Sequence, residues 1–239
     1  FPVPLRYAAF NEPNIAEARN MAVSLSNGHL IAFIDDDEIP SQEWVRTLVA
    51  TMERFSVAGV LGPVRPKFEG QAPPRWLTAS RLAERASFET GTPMMNLRHM
   101  RTGNVLLDRR YLPEDEPIFD PRFGRMGGED VDFFARMLRR GHRFVWCHEA
   151  SVSEIVPLER QTRMYYVKRA AARGATTARR EPAFSFGTVK SIAAVVLYAP
   201  AALVSALVSP GWFMRIMDRY VSHGSKLLAY MGITIATRS

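Results

Sequence analysis

Cysteine is nearly absent from this sequence, since Cys147 is the only one among 239 residues. A disulfide within the chain is therefore excluded, and the composition fits a reducing compartment. Three short catalytic signatures are also missing, namely GxxxxGK[ST], GxSxG and HExxH. Their absence removes support for P-loop NTPases, serine hydrolases and zincin metalloproteases.

The chain carries an excess of positive charge, with 31 Lys and Arg against 24 Asp and Glu and a formal net charge of +7. Such an excess favours anionic partners: nucleic acid, phosphorylated ligands or an anionic membrane surface. The basic regions have no zinc-finger spacing, recognition-helix motif or aromatic platform, so nucleic acid is not expected as a partner. Hydrophobic residues make up 47% of the chain, which is enough for a buried core.

Helical periodicity alternates with short apolar runs in the first part of the chain. One helix is predicted from Pro13 to Leu25, and another is predicted after Ser41, which can cap it. The runs 30–34 and 57–62 indicate buried strands, the first of them a central strand of a parallel sheet. This alternation predicts an α/β layered fold. Residues 63–100 show no strong period and are predicted to be irregular.

Two further strands and one helix complete the predicted sheet domain. The strands are expected in "RTGNVLLDRR" (101–110) and "RFVW" (143–146), and the helix at 131–140. We therefore predict a first domain at residues 1–157 and a second region at residues 158–239.

The chain changes character after Pro157. Residues 158–181 are basic with a helical pattern, and residues 191–214 contain no charged side chain. The uncharged span exceeds the roughly 20 residues that cross a bilayer, although Pro200 and the pair Pro210-Gly211 predict interruptions. A basic helix directly before such a span indicates a membrane-surface anchor. A solvated basic helix is the alternative.

Three consecutive carboxylates, Asp35, Asp36 and Asp37, directly follow the first predicted strand. Like charges this close repel, and their desolvation is costly unless a cation offsets it. In an Asp-x-Asp sequence the first and third carboxylates share one side of an extended chain, where they can reach a divalent metal or a ribose hydroxyl. A solvated acidic turn explains the triplet equally well.

A second acidic cluster is "GGED" at residues 127–130. Gly127 and Gly128 permit a tight turn, and Glu129 and Asp130 then fall in the first turn of a helix, whose dipole favours negative charge. A carboxylate in this place could act as a general base, while helix capping is the ordinary alternative. The pair Cys147 and His148 lacks further ligands at the spacing of a zinc site.

The order of four segments is more specific than any single motif. The segments "ARNMAVSLSNGHLIAFIDDDEIPSQEWV", "RTGNVLLDRR", "FDPRFGRMGGEDVDFFARMLRRGHRFVW" and "EASVSEIVP" resemble family 2 inverting glycosyltransferases of the GT-A fold, in particular the bacterial exopolysaccharide branch of the succinoglycan glucosyltransferase type. The resemblance implies a mixed, mostly parallel sheet flanked by helices, with a C-terminal helical, membrane-associated appendage.

The resemblance also implies roles for both acidic motifs. Asp35 would lie near the ribose, Asp37 and Asp35 would bind Mn²⁺ or Mg²⁺, and Asp36 would belong to the same donor-binding segment. Asp130 would deprotonate the acceptor hydroxyl and Glu129 would position the acceptor, unless the two exchange roles. The resemblance also implies that Arg19 and Asn20 lie on the donor side and that Gly103 and Asn104 line the sugar pocket. Arg160 and Arg163 would contact the diphosphate, and Glu154 would lie near the metal.

The implied reaction moves a hexose from a UDP-sugar to a polyprenyl-diphosphate-linked saccharide. It would take place at the cytoplasmic face of the bacterial inner membrane, with the chain peripheral, re-entrant or anchored by a single span. Relatives open with a βαβ unit that binds the nucleotide, and no such segment precedes Phe1, so an N-terminally incomplete catalytic domain is expected. A metal-dependent phosphohydrolase and a non-catalytic membrane-associated partner protein are the alternative functions.

Overall fold

A computed structural model describes residues 4–70, 72–125 and 127–233. Its helices are α1 (Ile15–Leu25), α2 (Trp44–Phe55), α3 (Arg75–Ser80), α4 (Glu129–Arg139), α5 (Arg163–Arg180), α6 (Phe186–Val208) and α7 (Pro210–Tyr230). Its strands are β1 (Leu30–Ile34), β2 (Glu38–Pro40), β3 (Gly59–Leu61), β4 (Val64–Phe68), β5 (Asn104–Asp108), β6 (Phe144–Trp146) and β7 (Val152–Val156).

The chain divides into two compact units. The first, called here the α/β unit, consists of Phe1–Arg65 and Arg85–Glu154, and the second, called the helical unit, consists of Pro66–Glu84 and Ile155–Ser239. The C-terminal change of unit lies close to the predicted boundary at residue 157. The inclusion of residues 66–84 in the helical unit was not predicted, and β4 and α3 lie in a region that was expected to be irregular.

The main sheet of the α/β unit is mixed. Its strand order is β1-β5-β3-β6, with β5 antiparallel to both of its neighbours and β3 parallel to β6. Three of the four strands therefore run in one direction, as the resemblance implied. The prediction of a central position for the strand 30–34 was wrong, because β1 lies at an edge of the described sheet and β5 lies inside it. An apolar run alone does not distinguish these positions.

Strand β5 is buried on both faces, and the core of the α/β unit is built around it. Val105 and Leu107 belong to the cluster on one face, which includes the aromatic rings of the α4 helix. Leu106 faces the other way, into a cluster with the α2 residue Leu48. Because successive side chains of a strand point to opposite faces, five residues are enough to connect two helical layers.

Asn104 supplies the polar connection within this core. Its side-chain oxygen accepts a hydrogen bond from Trp44 Nε1 at 2.8 Å, and its Nδ2 donates to the carbonyls of Pro63 at 3.1 Å and Ala150 at 2.8 Å. The residue is only 2% exposed. Buried amides are tolerated when they are hydrogen-bonded in this way, so Asn104 joins the start of β5 to α2 and to two loops.

The helical unit is organised around α7, which packs against α3, α5 and α6. Its small core contains Leu77, Tyr166 and Met214. The side chain of Arg215 donates to the carbonyls of Ala79 and Ser80, both at 2.8 Å, and so fixes α7 to the end of α3.

Helix α6 is long and apolar enough, by length and composition, to cross a membrane, and it is the one helix of the described residues that meets this criterion. The predicted interruption at Pro200 was wrong, because the helix continues through this residue to Val208. A proline removes one backbone hydrogen bond but does not force a long apolar helix to end. The predicted break at Pro210 is confirmed, since α7 begins there after Ser209.

Strand β2 carries a buried acid, Glu38, which is 8% exposed. Its Oε2 atom accepts a hydrogen bond from the backbone N–H of Asp35 at 3.2 Å, and its Oε1 atom has no hydrogen-bond partner in the described part of the chain. The pKa of the Glu38 carboxyl is raised from 4.5 to about 7, mainly by burial. The charges of Asp35 and Glu154 also raise it, whereas the hydrogen bond from the Asp35 N–H and the charge of Arg85 lower it. In metal-free solution, ionisation of Glu38 is therefore a cost to folding.

We expect this cost to depend on pH. Between pH 4.5 and about 7, Glu38 is protonated in the native state and ionised in the unfolded state. The stability that comes from the protonated Glu38 is therefore complete below pH 4.5 and is lost as the pH rises to about 7. Relative to Glu38→Gln, the free energy of unfolding of the unmodified chain should fall between pH 5 and pH 8 by up to about 3 kcal/mol. Urea unfolding in EDTA at both pH values measures this difference.

The control for this measurement is Glu53→Gln, which removes an exposed glutamate of α2 and leaves the Glu38 carboxyl in place. It should follow the unmodified chain at both pH values. A constant difference between the chain and its Glu38→Gln variant across the pH range would contradict the raised pKa.

Candidate functional site

The triple aspartate forms the tight connection between β1 and β2 in the α/β unit. The backbone N–H of Glu38 donates to the carbonyl of Asp35 at 3.1 Å, and the N–H of Asp35 donates back to the Glu38 side chain. Asp35 is half-buried, whereas Asp36 and Asp37 are exposed. The turn thus directs one carboxylate inward and presents two at the surface.

Gly103, which immediately precedes β5, lies against this turn. A Cβ atom at this position would be 2.7 Å from Oδ2 of Asp35 and 3.1 Å from Oε1 of Glu38. A larger residue would displace these carboxylates, so the glycine permits their close approach to the backbone of this segment. The structure therefore places Gly103 at the acidic turn, and its expected place in the sugar pocket stays a prediction.

The second acidic motif begins helix α4. Gly127 and Gly128 have φ values of 75° and 102°, a left-handed conformation that side-chain-bearing residues rarely adopt. The two glycines turn the chain so that Glu129 and Asp130 begin the helix, where both are buried, with 5% and 8% exposure. The helix N-terminus favours their negative charge.

Arg19 of α1 connects the two acidic motifs. Its NH1 group donates a short hydrogen bond to Oε1 of Glu129, and its NH2 group lies 3.6 Å from Oδ1 of Asp35. The guanidinium also lies over the ring of Phe119, 5.8 Å from its centroid. Carboxylates 94 positions apart in the sequence, by their residue numbers, are thus held around one cation.

Asp130 has a different cation. Its Oδ2 atom lies 3.3 Å from NH1 of Arg101, while its Oδ1 atom accepts from the backbone N–H of Val131 at 2.8 Å. Arg101 is largely exposed and stands two residues before Gly103. The segment "RTGN" therefore contributes to both acidic motifs.

Asn20 and Asn104 have structural roles. Asn20 exchanges two hydrogen bonds with the backbone of Phe119, at 2.7 and 2.9 Å, and so attaches α1 to the loop before α4. Asn104 is buried and fully hydrogen-bonded in the core described above. Both amides stabilise the segments that carry the acidic motifs. The expectation that the segment with Asn104 lines the sugar pocket stays a prediction, and the Asn104 side chain itself is hydrogen-bonded within the core.

Glu154 lies next to the acidic turn, since it is opposite Glu38 in the pairing of β2 with β7. Its carboxylate forms a short ion pair with Arg85. Arg160 and Arg163 belong to the helical unit, where Arg160 lies in a 3₁₀ turn and Arg163 begins α5, with its guanidinium 5.9 Å from the ring centroid of Trp76.

The carboxylates of the site are candidate ligands for a divalent cation. In the described ranges, no three His, Cys, Asp or Glu side chains form a group that could hold a metal ion by themselves. Two buried carboxylate oxygens, Oε1 of Glu38 and Oε2 of Glu129, have no hydrogen-bond partner within these ranges. Hard oxygen ligands of this kind suit Mg²⁺ or Mn²⁺, so the residues fit a cation that receives further ligands from a bound molecule.

Three residues of the site were missed by sequence reasoning: Glu38, Arg85 and Arg101. Glu38 directly follows the triplet, so a fourth acid in the run was a visible signal. Arg101 opens a segment already singled out. Nothing local marks Arg85, because its partner Glu154 lies 69 positions away in the chain.

The model of glycosyl transferase family 2 matches residues 2–114. "Succinoglycan biosynthesis protein ExoM" of Rhizobium meliloti (strain 1021) is 34% identical over 181 residues, which are 74% of this chain and 56% of that protein. The chain thus spans about half the length of this relative.

Similar solved structures include two that were determined with UDP. S. aureus TarS 1-349 in complex with UDP is 14% identical with a TM-score of 0.43, over 92% of this chain and 72% of that chain. GalNAc-T7 with UDP, GalNAc and Mn²⁺ is 15% identical with a TM-score of 0.44, over 72% of this chain and 39% of that chain.

The family model covers both the acidic turn and the Gly103 segment, and the mixed sheet between helices is the GT-A arrangement that the resemblance implied. On the family match and the similarity to the succinoglycan protein, residues 2–114 of the chain are a glycosyl transferase family 2 domain.

Proposed function

We propose that this chain is the catalytic part of an inverting glycosyltransferase that moves a hexose from a UDP-sugar to a lipid-linked saccharide in exopolysaccharide synthesis. The observation that carries the proposal is the junction at Arg19. One arginine holds the strand-end acid Asp35 and the helix-start acid Glu129 in a single site. A donor-binding carboxylate and an acceptor-binding carboxylate would have to be neighbours for direct transfer.

The donor side would be the turn at Asp35–Asp37. Asp35 and Asp37 would hold Mn²⁺ or Mg²⁺ together with the diphosphate, with Asp36 beside them, and the bound cation would neutralise the charge of the departing UDP. Gly103 lets the Asp35 carboxylate pack closely against the start of β5. Glu154 could join the cation only by giving up its ion pair with Arg85.

The acceptor side would be the start of α4. Asp130 would take the proton of the acceptor hydroxyl. The oxygen of this hydroxyl would form a bond to the anomeric carbon of the donor sugar, while the bond from that carbon to the phosphate oxygen of UDP breaks. The Oδ2 atom of Asp130 is the candidate for this role, because Oδ1 accepts from the backbone N–H of Val131, whereas Oδ2 faces the exposed side chain of Arg101 at 3.3 Å. Glu129 is held by Arg19 through one oxygen and would orient the acceptor with the other.

A polyprenyl-diphosphate carrier would present the acceptor saccharide at the cytoplasmic face of the inner membrane. Two features support this part of the proposal: the exposed cations of α5 and the apolar helix α6. Arg160 and Arg163 at the start of this basic segment are candidates for contact with a diphosphate, since arginine binds phosphate oxygens in pairs.

The donor assignment is tested by calorimetric titration of the chain with a panel of UDP-sugars in Mn²⁺ and then in EDTA. We expect one UDP-sugar to bind in Mn²⁺, and we expect EDTA or Asp37→Ala to abolish this binding because the charge of the diphosphate is then uncompensated. Asp115→Ala, at an exposed position of the same unit, should bind like the unmodified chain.

Three other results of these measurements would contradict parts of the proposal. Unchanged affinity in Asp37→Ala would refute the metal assignment. Release of UDP at a full rate without any saccharide acceptor would favour a phosphohydrolase, and no nucleotide binding under any condition would favour the non-catalytic partner protein.

The assignment of the base is tested by the turnover of Asp130→Asn with the preferred UDP-sugar. We expect donor affinity to remain while turnover falls by about 10²- to 10⁴-fold, the usual effect of losing a general base. Asp132→Asn, in the same helical turn but paired with Arg136, is the control and should retain most of the turnover. Turnover preserved in Asp130→Asn would transfer the role to Glu129.

A further inference from the structure

Helix α6 has its polar and apolar residues in the reverse of the usual arrangement for a soluble protein. Its buried positions are Ser191, Ala202 and Ser205, which are small or polar. The large aliphatic side chains lie on the outside, where Leu203 is 75% and Leu207 is 91% exposed. Of the most apolar stretch of this helix, only 17% is buried. The helix is therefore not the core helix of a globular bundle.

The exposed apolar residues form one broad stripe. Val189, Ile192, Val196, Leu203 and Leu207 follow each other at helical spacing, and the equally exposed Leu197, Val204 and Val208 widen the stripe on one side. From residue 189 to residue 207 the stripe is about 28 Å long. An exposed apolar surface of this extent indicates an interaction site, either for a lipid phase or for another protein.

Composition alone would assign α6 to a membrane span, but its neighbours argue against this. Helix α7 packs against α6 on one side and against α5 on another. On the α5 side, Arg173 forms an ion pair of 2.7 Å with Asp218, and Ser225 donates to the carbonyl of Ala171 at 2.9 Å. A span formed by α6 would therefore carry α7 and part of α5 into the bilayer with it.

Charged residues lie beside the middle of α6, not only beyond its ends. The ring of His223 on α7 is 6.3 Å from that of Tyr198, halfway along α6, and its Nδ1 atom is 3.1 Å from Oγ of Ser191. Arg219 lies one helical turn before His223 on α7, and therefore also lies near the middle of α6. A charge near the centre of a bilayer is costly, so the charged residues of α7 disfavour a span.

We infer that α6 lies in the plane of an anionic membrane surface, with its apolar stripe inserted and without crossing the bilayer. In this position the cations of α5 and α7 remain in water or at the headgroups. Charge complementarity selects the occupant, because exposed Lys168, Arg169 and Arg179 accompany the stripe in the same unit. This inference concerns the helical unit and does not depend on the reaction proposed for the α/β unit.

The experiment places a nitroxide, one at a time, on cysteines introduced at Val189, Val196, Leu203 and Leu207 of the full chain. Cys147 is buried and need not be replaced. The labelled protein is bound to vesicles that contain phosphatidylglycerol, and the depth of each label is measured by its relaxation with oxygen and with a water-soluble nickel complex.

An in-plane helix predicts one shallow depth at all four positions, about 5–10 Å below the headgroups. A spanning helix predicts labels near the headgroups at both ends and a label at position 196 close to the centre, about 15 Å deep. The second pattern would overturn the inference. A control label at Met95, which is exposed in the α/β unit, should remain in water.

Two further outcomes also overturn the inference. If the chain does not bind phosphatidylglycerol vesicles, or binds phosphatidylcholine vesicles equally well, the charge argument fails. If the chain is a dimer by light scattering and the labels at 196 and 203 show spin–spin coupling between copies without vesicles, the apolar stripe is covered by a second copy instead of lipid.

Discussion

The ion pairs of Arg19 are the interaction on which the candidate site depends. Two acidic motifs far apart in the sequence would repel each other if they approached without a cation between them. Arg19 supplies that cation and is itself fixed by the contact of its guanidinium with Phe119. The neighbouring Asn20 attaches the same helix to the backbone of Phe119, so the position of Arg19 is set by the fold.

The site as a whole has more negative than positive charges. Asp130 is paired with Arg101 and Glu154 with Arg85, whereas Glu38 has only a backbone donor and a raised pKa. Such an arrangement is costly for an apo protein and becomes favourable when a cation binds. The same carboxylates therefore lower the stability of the metal-free chain and, in our proposal, create its affinity for a metal-bound nucleotide.

Most helices and strands of the α/β unit and the positions of the acidic motifs could be predicted from the sequence, because periodicity and glycine placement are local signals. Strand β4 and helix α3 could not, because their segment shows no strong period. The edge position of β1 and the inclusion of residues 66–84 in the helical unit could not, because both depend on packing between distant segments. The role of Asn104 was missed for a related reason. Its motif was recognised, but only the structure shows that its amide is used within the core. Likewise, the apolar character of α6 could be predicted from the sequence, whereas the charged residues that α7 places beside it could not.

The central claim is that the turn at Asp35–Asp37 binds a metal and a nucleotide beside the start of α4. The most direct test is anomalous X-ray scattering from crystals of the chain grown with a UDP-sugar and Mn²⁺. Our account predicts one Mn²⁺ peak within coordination distance of Asp35 or Asp37, next to the diphosphate and with the sugar facing Asp130. A bound donor with no Mn²⁺ peak at this turn, or a Mn²⁺–diphosphate pair elsewhere on the chain, would contradict it.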